Sequence, residues 1–325
     1  MQGVAAAVAA RYCAKGRRID FAQGLSPDRL RPTLWPEPRV WPKVGVVIPS
    51  RDAPTLIRKT LEGLFEGTDY PDFEVTIVDN GTSDRTTLAL YEEFARVRSN
   101  FRVERKAEPF NFSRAVNRGV ALSTGPLALL LNNDVEVVEP SWLKEMVSCF
   151  DYPGVGVVGA KLVYPDGSLQ HAGVIAGLGG YAGHWHIGRP GSFLGPQRRL
   201  AARQSLSVVT GACMLVSRDC FTDVGGFDEA TFPIAYNDVD FCLRAGVAGF
   251  RVVWTPFAQL IHHESASRGS DETEENQARF DRDKAALRAR HGTDTFEDRA
   301  YNPWAARHDS EPAPVLRASL PRARA

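Results

Sequence analysis

The chain has 325 residues, 43% of them hydrophobic and 24% charged, an ordinary make-up for a soluble globular protein with room for one large α/β domain or two small ones. Lysine plus arginine balance aspartate plus glutamate at 39 each, so no global field singles out nucleic acid or an anionic surface as partner, and any basic site is local. The five cysteines, Cys13, Cys149, Cys213, Cys220 and Cys242, are odd in number and widely spaced, with no CxxC or zinc-like Cys/His pattern. They suit reduced thiols in a cytoplasmic compartment better than a disulfide framework.

Residues 1–10 are apolar, but the basic cluster Arg11, Lys15, Arg17 and Arg18 follows them and the stretch is too short for a bilayer. They read as neither a signal peptide nor a membrane span. Residues 1–42 read as a weak helix and then a proline-rich approach (Pro32, Pro36, Pro38, Pro42), an appendage leading into the main domain.

The fold proper begins at Val44. Residues 44–48 and 74–78 are continuous apolar runs, stopped by Pro49 and by Asp79-Asn80-Gly81, with a helical pattern between them (Leu56, Thr60, Leu61, Leu64, Phe65). Strand, helix, strand predicts a parallel pair buried on both faces. The theme repeats with a helix near 86–98, a strand around 101–104, a helix over 113–122 and an intensely apolar strand over 127–131 that ends in Asn132-Asn133-Asp134. A helix over 141–150 and a buried strand over 155–163 follow. These elements predict an open, mostly parallel, Rossmann-like α/β sheet flanked by helices.

The second half changes character. Residues 167–195 are rich in glycine and carry Gln170, His171, Tyr181, His184, Trp185 and His186, the composition of loops that line a site. Apolar order returns at 208–216, followed by Gly225-Gly226-Phe227-Asp228, a helix near 238–245, a strand over 250–254 and His262-His263-Glu264. Residues 272–290 read as a charged helix, and the last fifteen or so, rich in Pro, Ala and Arg, as disordered.

Ligands of open α/β sheets sit outside the carboxyl ends of the strands, where loops and helix N-termini converge. Ser50-Arg51-Asp52, Asp79-Asn80 and Asn132-Asn133-Asp134 would therefore share one rim. Asp79 could accept hydrogen bonds from a nucleobase imide or a ribose, although Asn80-Gly81 is also a hairpin-turn signal. Thr82-Ser83-Asp84 resembles a helix start, which favours the rim. Asn132 to Asp134 offers amide and carboxylate oxygens of the kind Mg²⁺ or Mn²⁺ prefers, beside the alternative of a plain turn. His262 or His263 could add a ligand. In Asn237-Asp238-Val239-Asp240 two carboxylates open a helix roughly 200° apart, so only one can face a substrate atom as general base.

In this order the clusters resemble the family 2 glycosyltransferases with the GT-A fold, over about residues 43–269. The segments are VGVVIPSRD, YPDFEVTIVDNGTSD, FNFSRAVNRGV, LALLLNNDVEVV, VGVVGAKLVYPDGSLQHAG, VTGACMLVSRDCF, GGFDE, YNDVDFCLRAGVAGFRVVWTP and IHHESASRG. They are most similar to the bacterial branch that builds O-antigen, rhamnan-like and other cell-surface polysaccharides. The resemblance implies an inverting in-line transfer from a nucleotide diphosphate sugar to a glycan or lipid-linked glycan, with Mg²⁺ or Mn²⁺. It makes Asp238 the general base, in a motif whose first Glu is Asn237 here. Asp79 would contact the nucleobase, and Pro49, Ser50 and Asp52 would frame the nucleotide, with Asn80 and Asn117 counted in the same set. Asn132, Asn133 and Asp134 would fill the DxD position, where Asp134 alone keeps the carboxylate, joined at the metal by His262 or His263. Gly225 to Asp228 would shape the acceptor side, which Gln170 and His171 are also taken to face.

The resemblance divides the chain into an appendage (1–42), a nucleotide-binding half (about 43–140), an acceptor half with a smaller mixed region (about 141–269), a helical extension (270–305) and a tail (306–325). A lipid-linked acceptor would favour docking on the cytoplasmic face of the inner membrane; oligomeric state is open. One rival is a non-catalytic nucleotide-sugar binding module of a larger assembly. A nicotinamide-dependent oxidoreductase would need a glycine-rich turn after the first strand, and Pro49-Ser50-Arg51-Asp52 provides none.

Overall fold

A computed structural model describes residues 2–26, 30–36, 40–264 and 274–302. Where a weak helix and a proline-rich approach were expected, α1 (Gln2–Cys13) is followed by an antiparallel hairpin of β1 (Arg17–Gln23) and β2 (Leu30–Pro36). Prolines are tolerated because the hairpin forms its own two-stranded sheet, all edge.

The main domain opens with β/α units. β3 (Val44–Ser50) is buried throughout, because helices cover both faces of the sheet here. α2 (Pro54–Phe65) starts on a proline, which has no N–H to leave unpaired in the first turn, and buries Ile57, Thr60, Leu61 and Leu64. β4 (Phe73–Asp79) leads to α3 (Arg85–Val97), capped by the Asp84 carboxylate accepting the Thr87 N–H at 2.7 Å. β5 (Phe101–Arg105) leads to α4 (Phe112–Leu122), capped in the same way by Asn111, and then to β6 (Leu127–Leu131). These strands run parallel in the order β5-β4-β3-β6. Alternate residues of β3 enter different layers: Val47 joins α4, while Val46 and Ile48 join α2. Gly119 of α4 lies so close to β3 that a Cβ would run into the Val47 side chain.

The second half adds β7 (Val135–Val137), α5 (Trp142–Ser148) with a 3-10 turn, β8 (Val155–Val163), and the short strands β9 (Leu169–His171), β10 (Val174–Ala176), β11 (Ala182–His184) and β12 (Gln204–Leu206). Then come β13 (Cys213–Ser217), α6 (Arg218–Val224), α7 (Asn237–Val247), β14 (Arg251–His262) and α8 (Glu274–His291). The sheet continues β6-β13-β8-β14-β12, with β13 antiparallel to both neighbours and β14 parallel to β8. Between Thr255 opposite Ala160 and Gln259 opposite Lys161 the ladder slips through a bulge containing Pro256.

The hairpin is tied into the main domain. The side chain of Glu145 on α5, wholly buried, accepts from Arg31 of β2 at 2.5 Å, from Arg203 at 2.7 Å and from Thr255 at 2.5 Å. Part of the expected appendage thus packs as a third partner of α5 and β14. The glycine-rich stretch is also less open than expected, since β9 and β10 are buried. Among the described residues, no helix is long and apolar enough to cross a membrane. Residues 265–269 of the last resemblance segment and the 306–325 tail lie outside the described residues.

Candidate active site

The carboxyl ends of β3, β6 and β14 open onto a cleft of about 440 Å³ lined by Ser50, Asn132, Asp134, Gly211, Tyr236, Asp238, His262 and others. β13 runs the other way, so the residues just before it, Thr210 to Ala212, reach the same rim.

The turn after β6 is held on three sides. Asn132 N–H donates to the Ala212 carbonyl at 2.9 Å, the Thr60 hydroxyl lies 3.0 Å from the Asn133 carbonyl, and His263 N–H donates to the Asp134 carbonyl at 3.0 Å. Asn133 donates its side-chain amide to Ser50 Oγ at 3.1 Å, which also accepts from Tyr91. Asn132 and Asp134 instead meet His262: its Nε2 is 3.2 Å from Asn132 Nδ2 and 3.1 Å from Asp134 Oδ1.

Asp134 is 5% exposed, and its Oδ1 is buried without a hydrogen-bond partner. A buried carboxylate oxygen in that state is costly unless a cation meets it. Cis ligands of an octahedral ion at about 2.1 Å stand about 3 Å apart, which the Asp134–His262 pair matches. Among the described residues no group of three or more His, Cys, Asp or Glu forms a ready cage. The residues therefore fit a cation that takes its remaining ligands from a substrate's phosphates and water.

Of the two histidines, only His262 faces this point. His263 turns its Nε2 to Glu136 at 3.0 Å and does not line the cleft, which corrects its assignment to the metal set. Adjacent residues at a strand end face opposite sides, so one of the pair had to turn away.

Asp238 lies in the first turn of α7, just after Tyr236, whose backbone is left-handed (φ 55°). Its Oδ2 accepts the Gly211 N–H at 2.8 Å and its Oδ1 the Val239 N–H at 2.8 Å. A carboxylate has about four acceptor sites, so two remain for a ligand. Asp240 points the other way, fully buried, bound by Arg244 at 2.8 Å, Arg290 at 3.0 Å and His291 at 2.8 Å. Burial alone would push its carboxyl up, but the bonds from His291, Arg244 and Arg290 outweigh this and hold it below the usual carboxylate range.

The β3–β4 end of the rim forms a hydrogen-bonded ledge. The buried carboxylate of Asp79 accepts the Thr82 N–H at 3.1 Å and the Thr82 hydroxyl, and pairs with Arg105 at 3.3 Å. Asp52 accepts the N–H groups of Ser83 and Asp84, both at 2.9 Å. Asn80 donates its N–H to the Ser50 carbonyl at 2.9 Å and its side-chain amide to the Glu108 carbonyl at 2.7 Å. The Asp79-Asn80-Gly81 turn thus joins strand to helix and is not a hairpin. Pro49 and Ser50 line the cleft; Asp52, Asp79 and Asn80 form the ledge beside it.

Asn117 is not brought to the cleft. Its amide donates to the Phe227 carbonyl at 2.9 Å and to Glu229 at 2.8 Å, and its oxygen accepts the Phe227 N–H at 2.9 Å, fastening α4 to the Gly225–Asp228 loop. Gln170 and His171 do not line the cleft either, being buried at 3% and 0% exposure. Burial holds the His171 imidazole well below its ordinary range. Sequence reasoning missed Gly211, Tyr236, Ile234 and Phe110 as cleft residues. The small-residue step Thr210-Gly211-Ala212 before an apolar strand was the available signal for the first.

The model of the family described as "Glycosyl transferase family 2" matches residues 45–225. Uncharacterized protein y4gI of Sinorhizobium fredii is 46% identical over 288 residues, covering 89% of this chain and 32% of that protein. O-antigen biosynthesis protein RfbC of Myxococcus xanthus is 40% identical over 258 residues, covering 78% and 20%. The chain thus spans about a third and a fifth of the length of these two relatives. An N-acetylglucosaminyl-diphospho-decaprenol L-rhamnosyltransferase of Mycobacterium tuberculosis is 28% identical over 234 residues, covering 66% and 74%. Among solved structures, a Pyrobaculum calidifontis mannosyltransferase in complex with GDP-Man and Mn²⁺ aligns with TM-score 0.52 at 18% identity, over 81% of this chain and 64% of that one. GalNAc-T7 with UDP, GalNAc and Mn²⁺ aligns with TM-score 0.57 at 14% identity, over 70% and 45%. At these identities the likeness is one of fold, and the fold is GT-A.

Proposed function

Because the chain belongs to glycosyl transferase family 2, we propose that it moves a sugar from a nucleoside diphosphate donor to a hydroxyl of a glycan or lipid-linked glycan, with inversion at the anomeric carbon. The class of product is an O-antigen-like cell-surface polysaccharide, in keeping with the name of RfbC, and the lipid-linked acceptor is in keeping with that of the rhamnosyltransferase. A lipid-linked acceptor would bring the protein to the cytoplasmic face of the inner membrane. The observation that carries the reading is that Asp238 and the Asp134–His262 pair, delivered by α7, the β6 turn and β14, line one cleft.

In the proposed reaction the acceptor oxygen bonds to the anomeric carbon as the bond from that carbon to the diphosphate oxygen breaks. The hydroxyl proton passes to Asp238, whose two backbone donors fix the carboxylate and leave its outer lone pairs free. The nucleoside would rest against Pro49 and Ser50, with Asp79, Asn80 and Asp52 fixing the shape of the ledge. Asp134 and His262, with Asn132 beside them, would hold Mg²⁺ or Mn²⁺, which neutralises the leaving diphosphate when bound.

The test is a donor screen measuring nucleoside diphosphate release, repeated on Asp238→Asn. We expect donor affinity to be nearly intact and turnover to fall at least about a hundredfold, the scale of general-base loss. Near-normal turnover in Asp238→Asn would remove the base assignment. Donor binding without turnover by the unaltered protein, with any donor and either cation, would make it a nucleotide-sugar binding module.

A further inference from the structure

We propose that Gln170 is a positioning residue that fixes the His262 ring and its tautomer so that the Nε2 lone pair is presented to a cation beside Asp134; this rests on the metal reading given under Proposed function. His262 and Gln170 are 92 residues apart and meet because β9 pairs with the end of β8, next to the end of β14. Gln170 Oε1 lies 2.7 Å from His262 Nδ1. A carbonyl oxygen only accepts, so Nδ1 carries the proton and, in the neutral ring, Nε2 is left with its lone pair.

The orientation of the Gln170 amide is itself determined. Its Nε2 is 3.1 Å from Glu264 Oε2 and 3.5 Å from the His262 carbonyl, both acceptors, so turning the amide over would set oxygen against oxygen. Glu264 Oε2 also accepts from the Tyr164 hydroxyl at 2.9 Å. Burial, with the Glu264 carboxylate second, pushes the Tyr164 phenol up to about 12, so it stays a donor at neutral pH. The relay reads, in order of donation, Tyr164 to Glu264, Gln170 to Glu264, and His262 to Gln170. Every member has one role it can fill and fills it.

At the far end the polarity is consistent. With Nε2 unprotonated, Asn132 Nδ2 at 3.2 Å is a matched donor to its lone pair, a bond that a cation binding there would displace. Asp134 Oδ1, 3.1 Å from Nε2, is the buried oxygen without a hydrogen-bond partner. A lone pair and an anionic oxygen aimed at one point are the two halves of a cation site. A buried side chain that orients a histidine ligand through its other ring nitrogen raises metal affinity about 10- to 100-fold.

The experiment is Mn²⁺ titration followed by electron paramagnetic resonance on the full chain with UDP present, alongside nitrogen-15 detection of the His262 tautomer without metal. The proposal expects the Nδ1-protonated tautomer in the unaltered protein. It expects Gln170→Leu to weaken Mn²⁺ binding about 10- to 100-fold, as far as His262→Ala does or nearly so. The paired change Gln170→Glu with Glu264→Gln reverses the donor and acceptor between those two positions while keeping an acceptor on His262, and should restore binding to within a fewfold. An Nε2-protonated ring in the unaltered protein, or Mn²⁺ affinity unchanged in Gln170→Leu, overturns the proposal; the tautomer needs no variant to fold. Mn²⁺ affinity equal in the unaltered protein, Asp134→Ala and His262→Ala would instead overturn the metal reading beneath it.

Discussion

The two halves of the sheet meet at one rim and treat their carboxylates in opposite ways. In the parallel half, Asp79 accepts from the backbone of its own loop at Thr82, and Asp52 accepts from the backbone of that same neighbouring loop at Ser83 and Asp84. Toward the mixed half, Asp134, in the turn that carries β6 into β7, keeps a buried oxygen without a hydrogen-bond partner, and Asp238 of α7 keeps part of its acceptor capacity free. The lesson is a division of labour: the first half presents a finished shape, and the second holds charge that a ligand must complete.

The sharpest test of that contrast pairs one acid of each kind. Asp134→Ala removes an uncompensated acid, so turnover should fall at least about a hundredfold while melting temperature stays level or rises. Asp79→Ala should show the reverse emphasis, with unfolding free energy in urea down about 1.5–3 kcal/mol from lost charge-assisted hydrogen bonds. If Asp134→Ala unfolds more readily than Asp79→Ala, the contrast fails.

A smaller effect probes the packing behind the parallel half. Gly119→Ala places a methyl group against Val47 and should destabilise by about 1–3 kcal/mol despite alanine's better helix propensity. Wild-type stability in denaturant would break the picture of α4 seated directly on β3.

The smallest belongs to the mixed half. His171 is buried and its pKa is lowered, so the unfolded chain binds the proton first as pH falls below the ordinary value of 6.5. Stability from this group is complete above that value and declines below it, by at most about 1.4 kcal/mol per pH unit. Burial lowers His184 in the same direction. Urea unfolding at pH 7.5 and 5.5 should show a larger acid loss in the unaltered protein than in His171→Gln; equal losses would remove this role.

Much of the parallel half was readable in advance, since strands buried on both faces are unbroken apolar runs. Leu127–Leu131 was placed to the residue, and α3, α4 and α7 to within one or two at most ends. The same rule failed on β14, where Thr255, Pro256 and Gln259 interrupt the run and the strand was cut off at Trp254. The hairpin was hidden by its prolines. In the candidate site, the strand-end rule anticipated that Asp134 lies on the cleft, and the helix-face rule that Asp238 and Asp240 point apart. Asn117 and Gln170 went astray because their partners, Phe227 and His262, lie 110 and 92 residues away, and no local period encodes such a meeting.

The bulge in β14 carries a consequence of parity. Between Thr255 and Gln259 that strand advances four residues where β8 advances one, an odd excess of three, so the side chains beyond it are switched to the other face relative to the alternation before it. Past the bulge Ala258, Leu260 and His262 fall on the buried side and Phe257, Gln259 and Ile261 on the more open one. Deleting a single residue there would exchange the two sets and hand the place beside Asp134 to Ile261 or His263. The irregularity thus works as a phase setting, written four to six residues upstream of the histidine whose direction it decides.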